Sequence, residues 1–234
     1  MSGAAQAASE GAGSLRRATV AYVAPFAAFI AFLGVERLFP GAQANVQAAR
    51  FVLVAVLLAA VSRPWIPLRP RRPVASALLG VAVFAVWIGP DLVWPGYRAH
   101  WLFRNSLTGA AASSMDAGLQ ANVWFLAQRV ATSVLLVPLL EELFWRGWMM
   151  RWLVKPNFLT VPLGTYTAQS FWLVAVLFAS EHGPYWEVGL AAGIAYNWWL
   201  VRTRDLAGCV LAHAVTNACL AAYVLLRGEW QYWL

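Results

Sequence analysis

ANVWFLAQRVATSVLLVPLLEELFWRGWMMRWLV, residues 121–154, is the stretch that decides the fold. A helix rises about 1.5 Å per residue, so this apolar run exceeds the roughly 20 residues that cross a bilayer core of about 30 Å. It is longer than one span, so its end should project from the membrane or bend. Ionisable groups inside a membrane are costly and are functional candidates by default. We therefore predict a spanning helix that keeps Glu141, Glu142 and Arg146 inside protein.

The whole chain has the composition of a membrane protein. Of its 234 residues, 61% are apolar and 12% are charged, and the mean hydropathy is +0.61. The alternating pattern that a membrane barrel requires is missing from the sequence, which leaves helices as the spanning structure. We predict an all-α, polytopic helical membrane protein with about seven transmembrane helices, over residues 19–39, 48–66, 74–94, 121–154, 168–182, 184–202 and 205–226.

The remaining segments define the domain organisation. Residues 1–18 are mostly small and polar, and we expect a disordered N-terminal segment there. Residues 19–234 should form a single helical membrane domain, whose chemistry-bearing part covers 121–226. A polar connection at about 95–120 contains aromatic residues suited to a membrane interface and has room for a short surface helix.

The basic residues predict the orientation of the chain. Its net charge of +7 raises the possibility of a nucleic-acid partner, but the basic residues lie between apolar segments and form no single patch, so we predict membrane lipid and no nucleic acid. With the N-terminus inside, short cytoplasmic loops collect ten basic residues against five outside. All but one of the basic residues are arginine and alanine is abundant, which is typical of a GC-rich bacterial genome. We expect an integral protein of a bacterial inner membrane with a cytoplasmic N-terminus.

Four polar side chains from three predicted spans should reach a common depth. Glu141 lies about 20 Å above the cytoplasmic end of its helix, and His182 lies at a similar height on the next. His213 and Asn217 share one face of the last span. A carboxylate can take a proton from water, an imidazole can orient that water, and an amide can donate to an oxyanion. This set has the parts for hydrolysis.

Three motifs carry a family resemblance. EELFWR at 141–146, FASEH at 178–182 and HAVTN at 213–217 match, in order, the motifs EExxxR, FxxxH and HxxxN. The chain thereby resembles the CAAX prenyl protease and bacteriocin-processing family, also called the Abi or type II CAAX endopeptidase family. The resemblance implies a glutamate-type intramembrane protease whose cavity opens to the cytoplasmic side. It covers the C-terminal part of the chain, and the first three spans carry no motif of this family.

The resemblance also implies roles for individual residues. Glu141 would be the base that activates water together with His182, while His213 and Asn217 would hold the oxyanion. The supporting residues would be Glu142, Arg146 and Phe178. The substrate would be a membrane-associated or lipidated protein or peptide, cut near its C-terminus. It would carry a prenylated tail or, in a bacterium, would be a precursor peptide or a protein with a sorting signal.

A narrower resemblance concerns the sequence around the motifs. VPLGTYTAQSFWLVAVLFASEH at 161–182 and CVLAHAVTN at 209–217 are similar to the CAAX-protease-related proteins of bacterial exosortase and exopolysaccharide systems. This similarity implies an exosortase-associated member of the family.

A zinc site is the main chemical alternative. Glu141, His182 and His213 form a His2Glu set, which is used at catalytic zinc sites. The sequence lacks HExxH, in which two ligands come from one helical turn, so packing between helices would have to assemble all the ligands. We favour a mechanism without metal and predict no cofactor.

Other functions and structural roles stay open at this stage. Buried Glu and His also serve as proton relays in transporters and channels, and a non-catalytic scaffold or immunity factor can keep the same fold. Glu142 and Arg146 can form a simple ion pair, and His213 with Asn217 can join helices through hydrogen bonds. We expect Glu181 to face a loop or the outer surface.

Overall fold

The structure, a computed structural model, describes residues 2–67, 69–113 and 115–233. Within these ranges the regular structure is helical, and the prediction of an all-α fold is confirmed. The main helices are α1 (Ser2–Leu38), α2 (Gln43–Leu57), α3 (Pro73–Val93), α4 (Val123–Trp152), α5 (Ala168–Ser180), α6 (Trp186–Thr203) and α7 (Leu206–Arg227).

Five of these helices are long and apolar enough to cross a membrane, over Gly11–Glu36, Gln43–Trp65, Pro73–Val93, Val123–Trp152 and Leu206–Arg227. The prediction of an integral membrane protein is therefore confirmed. Helix α5 is apolar but has 13 residues, and α6 has 18. Both lie where spans were predicted, at 168–182 and 184–202, but the count of seven transmembrane helices stays a prediction.

The structure differs from the prediction at the N-terminus. We expected residues 1–18 to be disordered, whereas α1 begins at Ser2 and Met1 lies outside the described residues. Alanine, the strongest helix former, is the commonest residue of this segment, which gives a physical reason for the helix. Ala18 is fully buried, so the helix packs against the bundle from this point onward. The single membrane domain over 19–234 stays a prediction.

Successive helices run in opposite directions, which gives the bundle two ends. We call one the basic end; there the connections 63–72, 153–167 and 204–205 meet. The backbone N–H of Arg71 donates to Asp205 Oδ2 at 2.6 Å, and the ring of Tyr22 contacts the rings of Trp65 and Phe158. We call the other the loop end; it holds the connection 94–122 and the C-terminal residues 228–233.

An arginine cluster closes the loop end. Arg98 Nε lies 3.1 Å from Asp91 Oδ1, and its Nη1 lies 2.6 Å from Glu187 Oε1. The guanidinium carbon also lies 4.2 Å from the centroid of the Tyr185 ring. The Tyr232 hydroxyl donates to Asp91 Oδ2 at 2.9 Å. We call these five residues the Arg98 cluster, and they join the 94–122 connection and the C-terminal segment to α3 and α6.

Tyr232 donates in this cluster because its hydroxyl keeps its proton. Burial and the nearby Asp91 carboxylate both disfavour a phenolate and raise the pKa of Tyr232. The hydrogen bond to Asp91 is therefore present throughout the physiological pH range.

Two π-helical turns interrupt α4, over Thr132–Leu136 and Leu143–Met149. Such turns break the regular ladder of backbone hydrogen bonds and are frequent at functional sites. The first turn contains Ser133, whose carbonyl oxygen accepts a hydrogen bond from Asn217 Nδ2 at 2.7 Å. The second contains Arg146. Helix α4, with 30 residues, is the longest spanning candidate, as the sequence predicted.

Gly80 allows α3 to pack closely on α7. A Cβ atom at this position would overlap the carbonyl oxygen of Ala212 and the side chain of Val215. The hydroxyl of Thr216 donates to the Gly80 carbonyl at 2.9 Å. This close contact fixes the part of α7 that carries the HxxxN motif.

Candidate active site

The Arg146 guanidinium is the centre of a buried polar cluster. It is fully buried, and it donates to Glu142 Oε1 at 3.1 Å and to Asn197 Oδ1 at 3.0 Å. Its carbon lies 4.4 Å from the centroid of the Phe178 ring, a cation–π contact. We call Glu142, Arg146, Asn197 and His213 the Arg146 cluster. Helices α4, α6 and α7 each contribute to it.

His213 joins this cluster to the second glutamate. Its Nδ1 lies 2.9 Å from Glu142 Oε1, and its Nε2 lies 4.0 Å from Glu141 Oε2. The ring stacks on Tyr196 with centroids 5.2 Å apart and an angle of 22° between the planes. Tyr196 is held in turn, because its hydroxyl donates to Thr216 Oγ1 at 2.7 Å. The imidazole is thus fixed with Nε2 towards Glu141.

Glu142 is held through Oε1 by Arg146 and His213, whereas its Oε2 has no hydrogen-bond partner among the described residues. Glu141 differs in lacking an ion pair with Arg146 among those residues. Its side chain is buried, with 8% of the residue exposed, and its Oε2 has no hydrogen-bond partner among the described residues. The 4.0 Å between this oxygen and His213 Nε2 is too long for a direct hydrogen bond, and such a gap is often bridged by water. Burying an unpaired carboxylate oxygen costs free energy. The role of Glu141 as a base stays a prediction.

His182 lies in the turn after α5. Its Nδ1 lies 2.8 Å from the Phe178 carbonyl oxygen, so Nδ1 carries the proton and Nε2 keeps its lone pair. The edge of Trp87 lies against the ring, with centroids 5.2 Å apart. On the other side, a Cβ atom on Gly189 would come within 3.0 Å of Nδ1, so the glycine provides the space that the imidazole occupies.

Phe178 links the two histidines. The centroid of its ring lies 4.8 Å from that of His182 and 6.1 Å from that of His213. The same ring also covers Arg146. The motif residue predicted as a support therefore contacts three of the other motif residues and separates the charged cluster from the helix behind it.

Asn217 lies one turn after His213 on α7 and is half-buried. One of its amide hydrogens is used by the Ser133 carbonyl, while a primary amide has a second N–H to donate. The structure thus places the carboxylates, Arg146 and His213 together, sets His182 beside Phe178, and turns one N–H of Asn217 towards α4. The catalytic roles of these residues stay predictions.

Three further polar residues belong to the site, and the motifs did not reveal them. Tyr196 and Asn197 lie side by side in α6, and both are buried behind the motif residues. The signal for Asn197 is an amide inside an apolar helix, a type of residue that often joins helices in membranes. Glu181 is exposed, but it lines a cavity rather than only a loop or the outer surface, and its Oε2 accepts a hydrogen bond from Trp145 Nε1 at 3.2 Å.

A cavity of about 620 Å³ is lined by chain neighbours of the motif residues and extends to the loop end; Glu141, His182, His213 and Asn217 are not among the residues that line it. At its inner end it is lined by Val137, one turn before Glu141, and by Glu181 and Gly183 on either side of His182. It continues along α4 past Ser133 and Thr132. Its outer walls come from α1, α2, Trp233 and residues 108–112 of the long connection.

The position of this cavity bears on the predicted orientation. The ten basic residues assigned to the cytoplasm lie at or near the basic end: Arg16, Arg17, Arg63, Arg69, Arg71, Arg72, Arg151, Lys155, Arg202 and Arg204. A cytoplasmic N-terminus would therefore put the cavity on the opposite side of the membrane. The family resemblance implied a cavity open to the cytoplasm. These two expectations exclude each other.

The zinc alternative has no preformed site in this arrangement. Among the described ranges, no group of three or more His, Cys, Asp or Glu side chains is placed to hold a metal ion. His182 Nδ1 is used by a backbone carbonyl, and His213 Nδ1 by Glu142. Only the Nε2 atoms of both rings would be available as ligands. The absence of a cofactor stays a prediction.

Comparison with known proteins identifies one matching family model, described as type II CAAX prenyl endopeptidase Rce1-like. It matches residues 122–219, a little under half of the chain, and this range contains all three motifs. The resemblance stated from the motifs is thereby confirmed over that range, and the family is one of proteases. No curated protein and no solved structure matches the chain. The narrower exosortase-associated resemblance stays a prediction.

Proposed function

Because residues 122–219 belong to the Rce1-like family of type II CAAX prenyl endopeptidases, we propose that this protein is an intramembrane endopeptidase of the glutamate type. It hydrolyses a peptide bond near the C-terminus of a membrane-associated or lipidated protein. The observation that carries the proposal is the buried Glu141 oxygen, which has no hydrogen-bond partner among the described residues and lies one helical turn after Val137, a residue that lines the cavity.

The first step is the activation of water. Glu141 accepts a proton from a water molecule while the lone pair on His182 Nε2 accepts its other hydrogen and orients it. The water oxygen then attacks the carbonyl carbon of the peptide bond and forms a tetrahedral intermediate. The tautomer of His182 supports this role, because Nδ1 donates to the Phe178 carbonyl and leaves Nε2 free to accept.

The negative charge on the oxyanion is stabilised by His213 and Asn217. A doubly protonated His213 donates Nδ1–H to Glu142 and Nε2–H to the oxyanion, and the second N–H of Asn217 supplies another donor. In this state Glu141 is neutral, and the negative charges of Glu142 and of the oxyanion are balanced by Arg146 and His213. Glu142 acts through the imidazole by fixing its position and supporting its charge.

In the last step the C–N bond breaks. Glu141, now protonated, transfers its proton to the leaving amine, and the attacked carbonyl becomes a carboxylic acid. The remaining proton from the water passes from this acid to the released amine and leaves the carboxylate. Glu141 thus returns to its starting protonation state, and the step needs no cofactor.

The orientation follows from charge. We place the N-terminus in the cytoplasm of a bacterium, since the basic end carries ten cationic residues, and hence the cavity on the non-cytoplasmic side. The substrate is then a segment on the outer side of the inner membrane, which fits an exosortase-associated role. With seven spans the C-terminus is outside, so a C-terminal alkaline phosphatase fusion should be active. An inactive phosphatase with a fluorescent C-terminal GFP fusion would reverse the orientation.

The test of activity is cleavage of a quenched-fluorescent lipidated peptide library by purified protein. Glu141→Gln should lose at least a hundredfold in rate, because the general base is removed, while remaining monodisperse in detergent. Glu229→Gln, at the loop end and outside the site, is the matched control and should keep full activity. Full activity in Glu141→Gln would reject the mechanism.

Chelator treatment and flux assays distinguish the alternatives. Cleavage by wild type should be insensitive to chelator. Loss of cleavage after chelator treatment would instead indicate a zinc site formed by Glu141, His182 and His213. Proton-coupled flux in liposomes that disappears in Glu141→Gln, with no cleavage by wild type, would favour a transporter. Intact biological function of a Glu141 and His182 double variant would indicate a scaffold or immunity factor.

A further inference from the structure

A second cavity, of about 240 Å³, lies at the basic end, and we call it the basic-end cavity. It shares no lining residue with the larger cavity described at the loop end. Three arginines line it, namely Arg69, Arg71 and Arg204. Asp205 is the one acidic residue among the described residues of its lining, and its carboxylate accepts a hydrogen bond from the backbone N–H of Arg71. Guanidinium groups therefore outnumber carboxylates around this cavity.

The three guanidinium groups lack carboxylate partners. None of them forms an ion pair within the described part of the chain, and all three residues are exposed. By contrast, Arg50 and Arg98 each pair with a carboxylate. Like charges around one small space repel one another. An anion in the basic-end cavity would relieve this repulsion.

The backbone of Arg204 points to a role for its side chain. Arg204 directly follows α6 with a φ of 53°, and it is the one non-glycine residue with a positive φ among those described. Glycine is the usual residue after a helix in this left-handed conformation, because it adopts it without strain. The stem of Arg204 packs on Gly164, where a Cβ atom would lie 2.9 Å from Arg204 Cγ. The conformation favours glycine, so the arginine is best explained by its side chain, which lines the cavity.

The basic-end cavity lies at the depth of lipid head groups. Trp65 is the last residue of one candidate span, Gln43–Trp65, and Leu206 is the first residue of another, Leu206–Arg227. Both residues line the cavity. Tryptophan at the end of a span is typical of the membrane interface. The phosphate groups of the bilayer are therefore the anions nearest to the three arginines.

We propose that the basic-end cavity binds the phosphate of an anionic phospholipid head group, with phosphatidylglycerol as the type of ligand. Arginine forms bidentate pairs with phosphate, and basic pockets between membrane helices bind anionic head groups. The cavity is smaller than the about 300–1,000 Å³ of sites for drug-sized molecules, which suits a small group. A zwitterionic head group carries its own cation, which the arginines would repel. The inference is independent of the proposed peptidase function.

A bound head group should stabilise the bundle. Two residues of the cavity wall, Tyr22 and Leu206, also contact α4 at Gly147, where a Cβ atom would lie 2.6 Å from Tyr22 Cε1 and 3.3 Å from Leu206 Cδ2. Gly147 directly follows Arg146 of the buried cluster. The cavity thus joins the 63–72 connection and the start of α7 to the helix that carries Arg146. A ligand that binds the folded state alone raises the melting temperature.

The test uses the full chain, freed of lipid in detergent, with lipid binding followed by native mass spectrometry and stability by differential scanning fluorimetry. The probes are phosphatidylglycerol, phosphatidylcholine with the same acyl chains, and inorganic phosphate. We expect one phosphatidylglycerol per chain to bind about tenfold more tightly than phosphatidylcholine and to raise the melting temperature. Inorganic phosphate at the same concentration should do neither, because it lacks the acyl chains that keep a lipid at this depth.

Two triple variants of equal charge distinguish the cavity from the general charge of the basic end. The cavity variant combines Arg69→Gln, Arg71→Gln and Arg204→Gly. The control combines Arg63→Gln, Arg72→Gln and Arg202→Gln, which are exposed residues of the same end that do not line the cavity. The preference for phosphatidylglycerol should disappear in the cavity variant and change by less than about twofold in the control.

The single variant Arg204→Gly protects the test against misfolding, because glycine favours the backbone conformation found there. Without lipid it should melt no lower than wild type, and it should still bind phosphatidylglycerol several times less tightly. Equal binding of the two lipids by wild type, binding of neither, or equal losses in the two triple variants would overturn the inference. So would displacement of phosphatidylglycerol by an equal concentration of inorganic phosphate, since a free anion would then be the ligand.

Discussion

The Arg98 cluster and the Arg146 cluster are built alike but differ in one pairing. Each has an arginine against aromatic rings with two acidic residues nearby. At the loop end both carboxylates, Asp91 and Glu187, lie within 3.1 Å of the guanidinium of Arg98. In the bundle, Glu142 is the one acidic residue among those described that pairs with Arg146, while Glu141 Oε2 lies 4.0 Å from His213 Nε2.

This difference distinguishes carboxylates that only stabilise the fold from a carboxylate that is available for chemistry. A carboxylate whose charge is matched by a neighbouring cation has little tendency to take up a proton. The Arg98 cluster therefore connects the loops of this end to the helices. The Arg146 cluster uses one glutamate to hold an arginine and a histidine, and leaves the other one helical turn from a residue that lines the larger cavity. The unmatched carboxylate, rather than the density of charge, identifies the candidate active site.

The largest expected effect comes from removing the central arginine of the buried cluster. Arg146→Met leaves Glu142 fully buried without its cation, and breaking such a pair costs about 3–5 kcal/mol. We expect little folded protein after detergent extraction and a markedly lower melting temperature for what remains, measured by differential scanning fluorimetry. A melting temperature within a degree or two of wild type would show that the cluster does not stabilise the bundle.

The equivalent change in the other cluster should be milder. Arg98→Met leaves Asp91 and Glu187 without their cation, but their side chains are 19% and 17% exposed whereas that of Glu142 is fully buried, so the cost of the lost pairs should be lower. The bundle should stay folded, with faster proteolysis of the 94–122 connection and retained cleavage activity. If Arg98→Met melted as early as Arg146→Met, the contrast drawn between the two clusters would be wrong.

The sequence predicted the helices well, because membrane insertion imposes a simple rule on length and polarity. The segment 74–94 was observed as Pro73–Val93, and 121–154 as Val123–Trp152. The N-terminus was the exception, since a composition of small residues fits both a disordered chain and an alanine-rich helix. The motif spacing also predicted the Glu142 and Arg146 pair, because residues four apart share a helix face.

The specific side-chain contacts between helices could not be predicted from the sequence. Asn197 supports Arg146 from another helix, and no periodicity relates the two positions. The Arg98 guanidinium likewise pairs with one carboxylate of α3 and one of α6, and only the packing of the helices brings these groups together. The resemblance implied a cavity, but its lining by residues of α1, α2 and the 94–122 connection was not predicted, because sequence rules for spans describe their ends and not the space between them.

A smaller effect is expected where a glycine makes room for His182. Gly189→Ala would place a methyl group 3.0 Å from His182 Nδ1 and displace the ring from its hydrogen bond with Phe178. Cleavage should fall about tenfold, in line with the sensitivity of catalysis to small misplacements, with the melting temperature unchanged or slightly raised. Gly89→Ala in α3, which meets nothing within 4 Å, is the control and should keep its activity. Equal activity in both variants would remove His182 from the mechanism.

The most direct test of the account is a single turnover in water enriched in ¹⁸O, with the product analysed by mass spectrometry. If Glu141 acts as a base that activates water, one labelled oxygen should appear in the new carboxylate of the product during the first turnover. If Glu141 instead attacked the peptide itself and water then attacked the glutamyl carbonyl of the resulting anhydride, the first product would be unlabelled and the label would remain on the glutamate. An unlabelled first product would contradict the central claim that the unmatched carboxylate activates water.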